Sequence, residues 1–340
     1  MGYRIAVVGA TGAVGQEMLK VLGARAFPVQ SLRLLASSRS VGRTITFLGE
    51  ELPVEELSEE SLREVDLALF SAGSATSKRF APSAAEAGVL VVDNSSAFRM
   101  DPAVPLVVPE LNPEAARGMR KGIIANPNCT TIIALMALGP LHRAKGIERF
   151  TAASYQAASG AGARALAELE DQLRAWAADE PISVSVFPHQ LALNCLPQVD
   201  AFLTDGYTRE ELKLSRETRK ILSDDGIRCS ATCVRVPVLR SHAVAIHLET
   251  REPLTPEEAR GILRDSPGVV VEDDPGAGRY PMQLDVAGRD HVAVGRIRSD
   301  MSHPGGLVLW VAGDQLLKGA ALNAVQCAEL ALGVGAFAGI

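Results

Sequence analysis

The chain has 340 residues, 47% of them hydrophobic and 22% charged, which excludes a stapled mini-protein, a disordered polymer and a fibrous repeat; at about 150 residues per domain it predicts two folded domains. Forty acidic against 34 basic residues leave a net charge of −6, and the 2 Trp, 4 Tyr and 9 Phe are scattered without basic interleaving. No footprint for a phosphate backbone is present, so nucleic acid is excluded as a partner.

Residues 3–8 (YRIAVV) read as a buried strand, followed by the glycine turn GATGAVG at 9–15 and a helix facing Val14, Met18, Leu19 and Leu22 inward. Further strands are expected at Leu32–Ala36, Leu67–Ser71 and Val89–Asp93, with a helix closing at Ser83–Ala87 between the last two. Strands alternating with helices predict an α/β, Rossmann-like, doubly wound parallel sheet. After about residue 150, Phe150–Ala157, Thr232–Val238, His242–Glu249 and His291–Arg298 have strand composition and short connections. They predict a largely antiparallel sheet in a second, α+β domain. Helix starts are marked by Thr208 with Glu211 and by Thr255 with Pro256 and Glu258, the spacing of a capping box. Arg164–Ala177 reads as a helix burying Leu166, Leu169, Leu173 and Trp176, with Glu170 and Arg174 paired outside. Asp314–Leu332 reads as a long last helix returning to the first domain. The expected division is therefore 1–128, completed by about 314–340, and 129–313.

Five cysteines, at 129, 195, 229, 233 and 327, are odd in number and widely spread, which predicts reduced thiols and a cytoplasmic location. Cys229 and Cys233 form only a CxxxC spacing, so no metal site is expected. The N-terminal run MGYRIAVVGATG shows no export signal, and the apolar tail Leu330–Ile340 is too short to span a membrane.

Gly9, Gly12 and Gly15 let the backbone turn sharply and approach a pyrophosphate at the helix N-terminus, with Thr11, Ala13 and Val14 in the same turn. Where an NAD site carries an acidic residue, after the second strand, the chain reads Ala36-Ser37-Ser38-Arg39-Ser40. Hydroxyls and a guanidinium suit a 2′-phosphate, so Ser37, Arg39 and Ser40 predict NADP over NAD. In the run Asn126-Pro127-Asn128-Cys129-Thr130-Thr131, Pro127 disfavours helix at Asn126, so Cys129 falls in the first turn of the following helix. The dipole there lowers a thiol's pKa and favours the thiolate, although placement alone leaves a small buried hydrophobe as the alternative. Cys195 and Cys327 carry no activating pattern and read as packing residues. Asp93 could serve equally as a helix or turn cap.

The chain resembles the aspartate-β-semialdehyde dehydrogenase family along nearly its whole length. The resemblance rests on GATGAVG, the loop at 37–40, SSAFR ending at Arg99, VPELN at 108–112, NPNCTT at 126–131, SYQAASGAG at 154–162, EELK at 210–213, RVPVLRSHAVAIHLE at 235–249 and GDQLLKGAA at 313–321. It implies NADPH-dependent reduction of β-aspartyl phosphate to aspartate semialdehyde, with phosphate release, on the way to lysine, threonine and methionine. It further implies Cys129 as the nucleophile that forms a thioester, His247 as acid/base catalyst and Gln156 as the residue orienting the acyl group. Arg99, Asn128 and Lys213 would bind phosphate, Arg240 the α-carboxylate and Glu210 the α-amino group. Gln315, where some members have Asn, falls on the cofactor side, as does Ser74, where glycine is common. The family pairs through its second domain, which predicts a homodimer or a tetramer.

Thr208 as a cap places Glu210 and Lys213 three apart on one helical face, which fits a shared ligand or a plain surface ion pair. His247 falls on the less apolar face of its strand, beside Ala243, Ala245 and Glu249. The competing enzyme is an N-acetyl-γ-glutamyl-phosphate reductase, whose substrate has no free α-amino group for Glu210. A non-catalytic NADP-binding paralogue is the alternative of another class.

Overall fold

The computed structural model describes residues 2–335 except 118 and 120. The chain divides into two compact units, Met1–Asn128 with Ala320–Ile340, and Cys129–Gly319.

The first unit opens with β1 (Tyr3–Val8), α1 (Ala13–Ala24) and β2 (Val29–Ala36), followed by β3 (Thr44–Phe47), β4 (Glu50–Glu56) and β5 (Leu67–Phe70). It continues with α2 (Ser74–Glu86), β6 (Leu90–Asp93), the short α3 (Glu114–Arg117) and β7 (Ile123–Ala125). The strand order is β3-β4-β2-β1-β5-β6-β7, and every pairing is parallel except that of β3 with β4. Continuous apolar runs such as LALF in β5, buried at all four positions, are what a sheet covered on both faces requires. The hairpin β3–β4 went unread because its residues are mostly exposed. The edge strand β3 is only four residues long, and a short edge discourages further strand pairing. Val14 is only half-buried, so the buried face of α1 is made by Met18, Leu19, Val21 and Leu22.

The second unit begins with α4 (Cys129–Lys145), followed by β8 (Ile147–Gln156), α5 (Ala163–Ala177), α6 (Arg209–Leu222), β9 (Arg228–Arg235) and β10 (His242–Thr250). It ends with α7 (Pro256–Arg264), β11 (Val269–Val271), the short α8 (Gln283–Val286), β12 (Val292–Ser299) and β13 (Leu307–Gly313). The sheet order is β11-β12-β13-β10-β8-β9. Its three inner pairings are antiparallel, while β8 with β9 and β11 with β12 are parallel. The parallel β8–β9 step is possible because α5, a long loop and α6 supply the crossover. Helix α4 is buried almost all round, as a central core helix must be, and lies against β8, β10 and β13. Val244, Ile246 and Leu248 of β10 are buried, and by alternation they share a face with His242.

Both capping boxes form, at Thr208 with Glu211 and at Thr255 with Glu258. The expected stripe of α5 needs correction, because Trp176 is 56% exposed and the buried residues are Ala165, Glu168, Leu169 and Gln172. The inward polar pair holds a loop: Glu168 accepts from the Ser185 amide at 2.9 Å and the Val186 amide at 2.5 Å. Gln172 Oε1 accepts from the amides of Leu191 and Ala192 at 3.0 and 2.9 Å. Glu170 and Arg174 do pair on the outside.

The last helix starts at Leu317 and not at Asp314, and its first turn is π-helical. Asp314 accepts the amides of Leu316 and Leu317 at 2.9 and 3.2 Å, a π-helical turn follows over Leu317–Ala321, and then α9 runs over Leu322–Leu332. Helix α9 packs on α1, where Glu329 receives two hydrogen bonds from Arg25 at 2.7 Å. Residues 336–340 of the apolar tail, and Met1 of the N-terminal run, lie outside the described residues. No helix among the described residues is long and apolar enough to cross a membrane.

Candidate active site

In the first unit, β1 lies between β2 and β5, so the chain reverses its direction of growth at the C-terminal end of β1. Such a switch point is where open α/β sheets receive ligands. Gly9 turns there with φ +87°, and the Gly9 and Ala10 amides donate to the Leu35 carbonyl at 2.7 and 3.2 Å. A Cβ on Gly15 would fall 2.3 Å from the Gly9 oxygen, so only glycine lets α1 start against the turn. Gly12 caps α1 without a side-chain hydrogen bond, which leaves the first-turn amides as donors for an anion. Ser37 is exposed, Ser38–Ser40 form a 3-10 turn, and Arg39 is exposed. Among the described residues Arg39 makes no ion pair. This cradle fits a dinucleotide.

The same unit anchors the NPN segment. Asn126 donates to Asn94 Oδ1 at 2.6 Å and accepts from Asn323 at 2.7 Å. Arg99 is buried, and its guanidinium donates to the carbonyls of Asn126 at 2.9 Å and Asn94 at 3.0 Å. Asp93 acts as a turn cap, accepting from the amide and hydroxyl of Ser95 and from Ser77 Oγ. Asn128 is buried at the end of this unit.

In the second unit, the register of three strands sets one row of side chains. Gln156 pairs with Arg235 across β8–β9 and with His242 across β8–β10. All three are buried on the face that packs against α4, and His242 is 0% exposed. Gln156 Nε2 donates to Glu210 Oε1 at 3.2 Å and lies 3.4 Å from His242 Nε2. Glu210, from α6, accepts from Lys213 Nζ at 2.9 Å, and Lys213 also donates to Asp200 at 2.8 Å. Burial works against the Lys213 ammonium, but Glu210 and Asp200 outweigh it and hold its pKa above the usual lysine value. Arg235 donates to the Ala157 carbonyl at 2.6 Å. Burial lowers its pKa, opposed by Glu210 and Cys129 nearby.

Cys129 is the first residue of α4 and is half-buried. The π-helical turn packs on it, since a Cβ on Gly319 would lie 3.0 Å from the Cys129 Cβ. Burial pushes Cys229 and Cys233 up to about 12, which leaves them protonated at neutral pH. Cys327 is buried, but Cys195 is exposed and is therefore not a packing residue.

Two residues expected in the site lie apart from the buried row. His247 is half-exposed, hydrogen-bonded through Nδ1 to Asp300 at 3.0 Å, and stands opposite Thr151 and Val308. Five residues from His242, it occupies the other face of the sheet, about 16 Å further along the strand. The histidine of the cluster is His242. Arg240 is committed to Asp314 at 2.6 Å, a carboxylate that also accepts from the Gly288 amide at 2.6 Å. The arginine beside Glu210 and Cys129 is Arg235, which the sequence reading missed. Gln315 spends its side chain inside this unit, accepting from the Ser241 amide at 2.6 Å and donating to Ser159 Oγ at 2.5 Å.

A doubly wound unit followed in the chain by a mixed-sheet unit with a cysteine at a helix start is the build of a semialdehyde dehydrogenase. Residues 4–119 match the family model described as semialdehyde dehydrogenase, NAD binding domain, and residues 138–318 match semialdehyde dehydrogenase, dimerisation domain. The aspartate-semialdehyde dehydrogenase of Aquifex aeolicus is 53% identical over 97% of this chain and 98% of its own. The crystal structure of aspartate semialdehyde dehydrogenase II from Vibrio cholerae complexed with ASA superposes with a TM-score of 0.95 at 48% identity, covering 98% of both chains. The Candida albicans enzyme with NADP gives 0.75 at 26% identity, over 97% of this chain and 98% of that one. The chain belongs to the aspartate-semialdehyde dehydrogenase family.

Proposed function

We propose that the protein reduces β-aspartyl phosphate to aspartate semialdehyde with NADPH, releasing phosphate through a thioester on Cys129, as a step toward lysine, threonine and methionine. The observation that carries this is the buried row of Arg235, Gln156 and His242, with Glu210 beside it, in the unit whose helix α4 begins at Cys129. The Arg235 guanidinium suits the substrate α-carboxylate. Glu210 suits the α-ammonium, a partner that an N-acetylated substrate lacks, and this favours the aspartyl over the N-acetylglutamyl reading. Lys213, held beside Glu210, would supply a cation for the phosphate. Gln156 orients the acyl group.

The Gly9–Gly15 cradle and the loop Ser37–Ser40 would hold the dinucleotide, which when bound supplies hydride. Arg39→Ala is expected to weaken NADPH binding by about tenfold or more, the loss of a charge-assisted contact, while NADH binding changes little. Equal losses for both in a fluorescence titration would overturn the assignment. For the reaction itself, NADP and phosphate are added to aspartate semialdehyde and, separately, to N-acetylglutamate semialdehyde, and NADPH absorbance is followed. Turnover only with the second would sink the proposed substrate.

The cytoplasm is the proposed location, in keeping with five free cysteines. A homodimer formed through the second unit accords with the dimerisation-domain match and with the preference of oligomers for two-fold symmetry. A light-scattering mass equal to the 35.9 kDa chain would overturn it.

A further inference from the structure

We infer that Asp200 is a positioning residue of the site: it keeps the Lys213 ammonium in place for the phosphate while Glu210 is engaged by the substrate α-ammonium. The inference deepens the reading of Lys213 as the phosphate cation given above and rests on it.

The approach of Asp200 to α6 is built locally. Leu196 and Arg235 exchange both backbone hydrogen bonds, at 2.9 and 2.8 Å, which fastens the incoming segment to the end of β9. After Asp200 the chain makes a tight hairpin. Phe202 pairs with Thr208 in an antiparallel bridge, the Leu203 amide donates to the Tyr207 carbonyl at 2.8 Å, and Gly206 takes φ +85° at the turn. The Arg209 amide then donates to the Ala201 carbonyl at 3.0 Å. Thr208 caps α6, so the hairpin returns the chain to the helix start and leaves Asp200 beside it. Lys213, in the second turn of α6, reaches back to Asp200 Oδ2 at 2.8 Å.

The backbone of Asp200 is unusual, with φ +68°, a left-handed region in which aspartate and asparagine are the side chains best tolerated after glycine. Its two oxygens have separate tasks. Oδ1 accepts from the Ala201 amide at 2.8 Å, and Oδ2 accepts from Lys213. Glycine would suit this backbone better but would bring no charge to the lysine. Strain retained where a charged side chain meets the site points to function.

Burial opposes the charged form of Asp200, but the hydrogen bonds from Lys213 and the Ala201 amide outweigh it and hold its carboxyl below the usual aspartate range. Glu210 already accepts from Gln156 through Oε1 and from Lys213 through Oε2. A substrate ammonium drawn to Glu210 would compete with Lys213 for the same negative charge, and the grip on the lysine from that side would weaken. An ammonium on a flexible four-carbon stem then swings into solvent unless a second anion fixes it. Asp200 is that anion. Its side chain is 33% exposed against 7% for Glu210, which sets it apart from the buried pair of Glu210 and Gln156.

The test is a double-mutant cycle on the full chain. Asp200→Asn keeps a side chain that tolerates the left-handed backbone and an oxygen for the Ala201 amide, and removes only the charge. Rates are measured with NADP, phosphate and aspartate semialdehyde, the last two varied in turn. Asp200→Asn is expected to raise KM for phosphate about five- to tenfold, with KM for the semialdehyde and kcat within about twofold and the thermal midpoint within about 2 °C. Lys213→Met should raise KM for phosphate further, and adding Asp200→Asn to it should change that KM by less than about twofold. A purely structural aspartate would instead raise both KM values together, or act by the same factor whether or not Lys213 is present. Either result, or a phosphate KM unchanged in Asp200→Asn, overturns the inference. Failure of the phosphate reading shows separately, as a phosphate KM unmoved by Lys213→Met, and the inference would fall with it.

Discussion

Cys129→Ala is expected to reduce turnover by about 10⁴-fold or more while NADPH still binds. A reaction routed through a covalent intermediate loses its path, and not merely some rate, when the nucleophile is removed. Cys229 and Cys233 are held as thiols by burial and Cys327 is buried, while Cys195 is exposed and lies at no helix start that would favour its thiolate. The glycine cradle is built from residues 9–15 without any contribution from Cys129, so cofactor affinity should change by less than about twofold. Steady-state rates and a nucleotide fluorescence titration on the same preparation check both halves. Residual activity above about one per cent of the parent would remove the thioester from the mechanism.

The second large effect concerns two arginines five residues apart. Arg235→Ala should raise KM for aspartate semialdehyde by about 10²-fold, the worth of a charge-assisted contact in a dry site. Arg235→Lys should recover little of it, because an ammonium cannot reproduce a bidentate fork. Arg240→Ala should behave differently. It removes the charge partner of Asp314, whose side chain is fully buried, and should cost about 1–3 kcal/mol of stability, softened because the arginine itself is partly solvated. Its thermal midpoint should drop while KM stays within about threefold. If Arg240→Ala raised KM without moving the midpoint, and Arg235→Ala did the reverse, the roles drawn from the structure would be exchanged.

The paired outcome also shows what could be read without coordinates. The nucleotide-type unit was legible because its signals are local: an apolar strand, a glycine turn and a helix follow one another within two dozen residues. Cys129 was legible for the same reason, since Pro127 alone places the helix start. The histidine and arginine of the buried row were not, because RVPVLRSHAVAIHLE contains two histidines and two arginines, and local pattern does not separate them. His247 comes from the resemblance, and its place on the less apolar face of its strand agrees with that choice. The site instead occupies the apolar face, at the strand end, where loss of neighbours beyond the last rung leaves space. Finding it requires the register, and the register joins β8 to β9 and to β10 across separations of about 80 to 100 residues. One cue was available: Arg235 ends a strand and His242 begins the next, and parallel or antiparallel neighbours bring such ends together. The inward Glu168 and Gln172 of α5 were missed for a related reason. Their partners are backbone amides of a loop that carries no sequence signature.

The row Arg235–Gln156–His242 has a further consequence for how this chain can vary. The spacing of its three side chains is fixed by the repeat between hydrogen-bonded strands, about 4.8 Å, and owes nothing to the length of the connections that join them. Lengthening the loop at 236–241 or the long crossover before β9 would leave the alignment intact. A slip of one residue in β8 would carry Gln156 to the opposite face of the sheet and break the row at its centre, with every hydrogen bond of the ladder still satisfied. Tolerance to insertion and intolerance to phase are therefore properties of the same three strands.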